Sequence, residues 1–188
     1  EVVEDGGYIA QYASSVTEFS SEYSSASWSA NQVLGAPNTD YYGDYSTSWA
    51  PGPANGTNEY ITVEFNTPTY ANQVVIREAY GNGFVTQVDL LDTNDVLHTV
   101  WTGVDPSLPG APADFTVTFA QTDYLVKGVK VYTDTNHDPY AWEEIDSIQL
   151  IGDDGAADAD GIISFTDVDL NDSHTATVTA SPTNVLGV

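Results

Sequence analysis

The chain is 188 residues long and carries 28 Asp and Glu against three Lys and Arg, a formal net charge of -25 at pH 7. With 41% hydrophobic and 12% aromatic residues it is too apolar for a disordered acidic tail and long enough for one sizeable core. Its only basic side chains besides three histidines are Arg77, Lys127 and Lys130, which excludes phosphate neutralisation on nucleic acid or on an anionic membrane; no apolar run is long enough to span a bilayer.

In chain order, the first 60 residues are rich in Ser, Tyr, Asn and Gly, with Pro37, Pro51 and Pro53. They read as a long ordered loop region over one end of the fold, and loops of this length are usually functional. The one helical candidate is a turn or two around Trp28–Leu34. Val, Ile, Tyr, Phe and Thr in alternation then predict strands near 60–66, 72–79, 84–91, 96–101, 114–119, 126–133 and 144–151. Turn signals separate them: Thr67-Pro68, Gly81-Asn82-Gly83, Thr93-Asn94-Asp95, Pro109-Gly110 and Asn136-His137-Asp138-Pro139. Short strands at this spacing, without intervening helices, predict an all-β antiparallel sandwich or jelly roll. A small, acidic stretch at 152–160 marks a boundary, and two more strand-like runs follow within 161–188.

A folded domain with this charge repels itself, and bound cations relieve the repulsion. Hard oxygen ligands favour Ca²⁺. A halophilic surface is the alternative reading of the same composition. The absence of cysteine rules out a disulfide framework, and the absence of methionine marks an excised or processed piece of a longer chain.

Residues 11–151 resemble the galactose-binding-like β-sandwich superfamily, which includes discoidin domains and many carbohydrate-binding modules. The resemblance is carried by Tyr12-Ala13-Ser14-Ser15-Val16, Phe19-Ser20-Ser21-Glu22-Tyr23, Gly35-Ala36-Pro37-Asn38, Gly43-Asp44, Arg77-Glu78-Ala79-Tyr80 and Glu143 to Leu150. The tail, Gly161 to Leu170 with Asp172-Ser173-His174-Thr175, resembles the opening of a VCBS repeat, a cadherin-like module of large bacterial adhesins. Val3-Glu4-Asp5-Gly6 is similar to the first segment of such a repeat. Residues 1–10 are thus either that segment or a linker, and 161–188 a partial repeat with Ig/cadherin-like strands. The sandwich is either inserted into the repeat or flanked by two partial linkers.

The loop from Asn38 to Ser46 holds Asn38, Asp40, Asp44 and Ser46 within nine residues, enough oxygen to wrap one Ca²⁺. The resemblance implies a structural Ca²⁺ here, completed by a carboxylate near the last strand, which Glu144 (or Glu143) matches. The alternative is an Asx-rich turn satisfying its own backbone. A second acidic group, Glu4, Asp5, Asp167, Asp169 and Asp172, reads either as a weaker Ca²⁺ site or as a solvated linker.

Sugar binding needs an exposed aromatic face and planar polar side chains. Tyr42, Tyr80, Asn82, His137, Asp138 and Trp142, all in loops or at strand ends, are candidates, and segment 136–142 is expected to meet 80–83 at one rim. Arg77 reads either as half of an ion pair inside the sandwich or as a donor to a sugar. Trp28, Trp49 and Trp101 read as core or as covers for its ends.

No nucleophile elbow, phosphate loop or metal-spaced histidine set is present, so no enzyme is expected. The expected function is a calcium-stabilised carbohydrate-binding or adhesion module of a large secreted or surface bacterial protein, meeting glycans or matrix polysaccharide. The alternatives are a structural module of an extracellular fibre, completed by neighbouring copies through strand addition, and a targeting module of a polysaccharide-degrading enzyme.

Overall fold

The computed structural model describes residues 7–153 and Gly155. Eight strands form two antiparallel sheets: β1 Tyr8–Tyr12, β2 Ser15–Phe19, β3 Asn58–Tyr80, β4 Val85–Asp92, β5 Leu97–Thr102, β6 Ala113–Thr118, β7 Val126–Asp134 and β8 Glu144–Asp153. One sheet has the order β1-β8-β3-β6, the other β2-β3-β7-β4-β5. The expected antiparallel jelly-roll sandwich is the fold that forms.

β3 belongs to both sheets. Its first half pairs with β7 and its second half with β8, so the strand crosses from one layer to the other. The predicted turn at Thr67-Pro68 is therefore a bend inside one strand rather than a break between two. The β3–β7 register jumps between Glu64 and Thr69, where Pro68 has no N–H to give. The Gln11 side chain serves the backbone there instead: its amide donates to the Thr67 carbonyl and accepts from the Thr67 N–H at 3.1 Å. An internal bend held by a distant side chain leaves no local signal.

The first 60 residues also depart from a loop reading. β1 pairs with β8 and β2 with β3, so two strands precede the long connection 20–57. The sandwich thus begins at Tyr8, taking three residues from the segment assigned to a linker, and runs to Asp153. The helical candidate is one 3-10 turn, Ala30–Val33.

Alternation builds the core. Val129 and Val131 of β7 face inward with Ile61 and Val63 of β3 and Val88 and Leu90 of β4. Val74 and Ile76 of β3 and Ile148 and Leu150 of β8 face them from the other sheet. Each such side chain stabilises the fold by roughly 1.5–3 kcal/mol on burial. Between them Lys130 points outward, its ammonium 3.7 Å from the Tyr60 ring centre and 2.9 Å from Glu18.

Four connections gather at one end of the sandwich: 20–57, 81–84, 103–112 and 135–143. There Tyr80 lies in register with Glu144, and Asn58 with Asp134. Among the described residues no helix is long and apolar enough to cross a membrane.

Candidate functional site

Trp49 ties the long 20–57 connection to β8. Its N–H and carbonyl bond Ile145 at 2.8 and 3.0 Å, its indole donates to the Ser21 carbonyl at 3.1 Å, and its ring is fully buried. This anchor sets Ser48 and Tyr45 against Glu144, which accepts from the Ser48 hydroxyl and, at 3.3 Å, from the Tyr45 N–H.

Above Glu144 opens a small cleft lined by Tyr23, Trp28, Asp44, Ala50, Trp142 and Glu144. Tyr23 stands edge-on to Trp28 and to Trp142, with ring centres 5.3 and 5.6 Å apart, so three aromatic rings wall one side. Trp142 is held by its indole N–H, which donates to the Pro51 carbonyl at 3.1 Å. Trp28 has φ +52, and its indole N–H is buried without an acceptor. A strained backbone and an unmet donor in one side chain are features that structures keep at functional positions.

The cleft base is acidic. Glu144 is fully buried, and Oε1 has no partner. Burial pushes its carboxyl up to about 8, and nearby Asp44 adds to the rise. Glu143, next in chain, is also fully buried; its carboxyl is raised to about 7, first by burial and then by Asp138 and Asp134.

The structure divides the five candidate Ca²⁺ ligands. Asp44 and Glu144 come together at the cleft base, while Asn38 and Asp40 line a separate shallow depression with Thr39, Tyr41, Tyr45 and Thr47. Ser46 is exposed and contributes its carbonyl to the Trp28 N–H at 3.3 Å. Among the described residues no group of three or more acidic or histidine side chains converges on one point. Glu4, Asp5, Asp167, Asp169 and Asp172 lie outside the described residues.

Asp146 escaped the sequence reading. Nearly fully buried, it accepts from the N–H of Asn38 at 3.0 Å, the N–H of Thr39 at 3.1 Å and the Thr39 hydroxyl at 3.0 Å, fixing the start of the acidic loop. Nothing in the Glu-Ile-Asp-Ser alternation of β8 distinguishes a carboxylate that ends beneath a loop from one that ends in solvent.

Of the candidate sugar contacts, only Trp142 lines the cleft. Tyr42 and Tyr80 pack edge to face at 5.2 Å. Segments 80–83 and 136–142 do meet, as expected: the His137 ring bonds the Asn82 carbonyl through Nε2 at 2.8 Å. Asn82, however, is fully buried, and its amide donates to the carbonyls of Leu108 and Ala111, so it holds a loop and does not line the cleft. Asp138 accepts from the Tyr140 N–H at 2.9 Å. Arg77 sits neither inside the sandwich nor at its rim. It lies in register with Asp114 and pairs with it at 3.0 Å, both partly exposed, because neighbouring Glu78 takes the inward position. Tyr23 and Trp28, which do line the cleft, were not among the candidates because the Ser-rich segment around them gives no strand or turn frame to orient them.

Several solved structures share the fold at low identity. The family 32 carbohydrate-binding module of AlyQ, in complex with 4,5-unsaturated mannuronic acid, is 17% identical with a TM-score of 0.52, the match covering 76% of this chain and 97% of that one. The family 32 module of C. perfringens NanJ, in complex with galactose, is 16% identical with a TM-score of 0.53, covering 76% and 99%. Reduced XRCC1, bound to the DNA polymerase beta catalytic domain, is 14% identical with a TM-score of 0.56, covering 77% and 99%. No curated protein matches. At these identities the likeness establishes the fold alone. The family described as Pappalysin-1, SD scarf domain, C-terminal, matches residues 1–159, a span that takes in the whole sandwich and the segment before it, and the chain belongs to that family.

Proposed function

We propose that this chain is a non-catalytic carbohydrate-binding module that seats a saccharide in the cleft of Tyr23, Trp28 and Trp142. The observation that carries the reading is the composition of that cleft: three aromatic rings on one side, a carboxylate pair at the base, and an indole donor with no internal acceptor. A sugar ring presents C–H faces that pack on aromatic rings and hydroxyls that pair with carboxylates and N–H donors. Two relatives of the same fold were solved with a saccharide bound, which supports the choice of ligand class.

Calcium belongs to the same reading. Asp44 and the free Oε1 of Glu144, with the Ser48 hydroxyl and main-chain carbonyls of 44–48, offer only hard oxygen donors. An ion there supplies positive charge that lets both carboxylates stay ionised and holds the acidic loop against β8. The wider setting we assign is a secreted or surface bacterial protein in which the module attaches its parent to glycan.

The test is a glycan array probed with the wild-type chain and with Trp142→Ala, in Ca²⁺ and in EDTA, with a thermal melt beside each. The variant is expected to lose about 2 kcal/mol or more of binding while its melt stays near wild type. Equal binding by a folded Trp142→Ala variant contradicts the cleft assignment. A lower Tm in EDTA is expected from linkage of the ion to folding.

A further inference from the structure

Loop 103–112, between β5 and β6, is built inside out. Val104 and Leu108 are 88% and 77% exposed, whereas Asp105 is 4% exposed. Asp105 is turned in against Glu78, the inward-facing residue of β3, which is 0% exposed. An arrangement that gives apolar side chains to water and buries an acid beside another acid leaves both ionised only where a cation joins them.

Each carboxylate uses one oxygen locally. Glu78 Oε2 accepts from the Gly83 N–H at 3.2 Å, and Asp105 Oδ1 from the Ser107 N–H at 2.8 Å. Glu78 Oε1 and Asp105 Oδ2 receive no donor when both groups are ionised, and the two carboxyls lie within hydrogen-bond reach of each other. A third atom points to the same need. The Asn82 amide, fully buried, gives its Nδ2 to the carbonyls of Leu108 and Ala111, in the same loop as Asp105, and leaves Oδ1 without a donor. Three buried side chains around one corner thus each keep one free oxygen.

No protein cation is placed to serve them. Lys127 pairs with Asp95 and Glu64, Lys130 with Glu18, and Arg77 with Asp114. The nearby His137 ring engages the Asn82 carbonyl. The corner is also kept open for main-chain oxygen: Gly83, at φ +101, lets the Ser107 carbonyl come so close that a Cβ would stand 2.8 Å from it.

The geometry points to a second cation site, separate from Asp44–Glu144, in which Glu78 Oε1, Asp105 Oδ2 and Asn82 Oδ1 bind Ca²⁺ and staple loop 103–112 onto the β3–β4 turn. An all-oxygen donor set with two carboxylates suits Ca²⁺ over Zn²⁺ or Cu²⁺, which favour nitrogen and sulfur. The staple lies beside Tyr80, whose ring packs edge to face on Tyr42.

The experiment is calorimetric titration of Ca²⁺ into the EDTA-stripped full chain. Wild type is expected to bind two ions, and Glu78→Gln, Asp105→Asn and Glu144→Gln one each. One ion in wild type that Glu78→Gln abolishes and Glu144→Gln keeps supports this site while removing the one proposed beside the cleft. Folded Glu78→Gln and Asp105→Asn chains that bind as many ions as wild type overturn it. Hydrogen exchange of the wild-type chain gives a reading independent of the variants: Ca²⁺ is expected to slow exchange of the amides in loop 103–112, and equal exchange with and without Ca²⁺ overturns the staple.

Discussion

Buried acids dominate the chemistry at the level of single residues. Glu78, Glu143 and Glu144 are fully buried, and burial raises their carboxyls to about 9, 7 and 8. A carboxyl raised in the fold holds a proton that the unfolded chain has already lost. Stability therefore falls as pH rises from the unfolded value near 4.5 through these folded values. In EDTA the Tm is expected to rise as pH is lowered from about 9 to about 5, and Ca²⁺ is expected to flatten that slope by replacing the proton. A melt series that is level across this range without metal contradicts the assignment of these groups. The sequence shows why they were hard to see. With 28 acids, the positions of Glu78 and Asp105 are unremarkable, and what sets them apart is the strand phase of β3 and the reversed polarity of a loop 27 residues away.

β3 organises the fold at the level of elements. Strand β7 meets it closely at Gly128, where a Cβ would stand 2.6 Å from the Val63 carbonyl, just before the pairing jumps across the bend. Gly128→Ala is expected to push the strands apart and cost about 1–3 kcal/mol in denaturant unfolding; an unchanged midpoint contradicts the close-packed crossing. Period-two alternation made six of the eight strands readable, because inward Val, Ile and Leu alternate with polar residues along β4, β7 and β8. β1 and β2 were not readable. Each is five residues long and has no fully buried residue, so Tyr-Ile-Ala-Gln-Tyr and Ser-Val-Thr-Glu-Phe carry little contrast between faces. Asp44, Glu144 and Trp142, which the structure brings to one cleft, were legible as candidates because loop acids and a strand-end indole have few other roles. Tyr23 and Trp28 depended on the path of a connection that only the Trp49–Ile145 anchor determines.

Charge is the property that acts on the whole molecule. At -25, repulsion among surface carboxylates opposes the compact state, and salt screens it. The proposed Ca²⁺ would do more than screen, because an ion that binds the folded state stabilises it by mass action. Millimolar Ca²⁺ is expected to raise the Tm well beyond NaCl of equal ionic strength; equal shifts from the two salts contradict specific sites. Folding, ion binding and ligand binding meet at the end of the sandwich where four connections converge, and the claim that depends on all three is that a saccharide lies in the cleft of Tyr23, Trp28 and Trp142. The most direct test follows the indole N–H resonances of the four tryptophans by NMR while the strongest glycan from the array is titrated into the Ca²⁺-loaded chain. Trp28 and Trp142, which line the cleft, are expected to shift, and Trp101, packed on Phe115 at a ring distance of 4.9 Å, to stay in place. Saturable binding that leaves Trp28 and Trp142 unmoved would contradict the account.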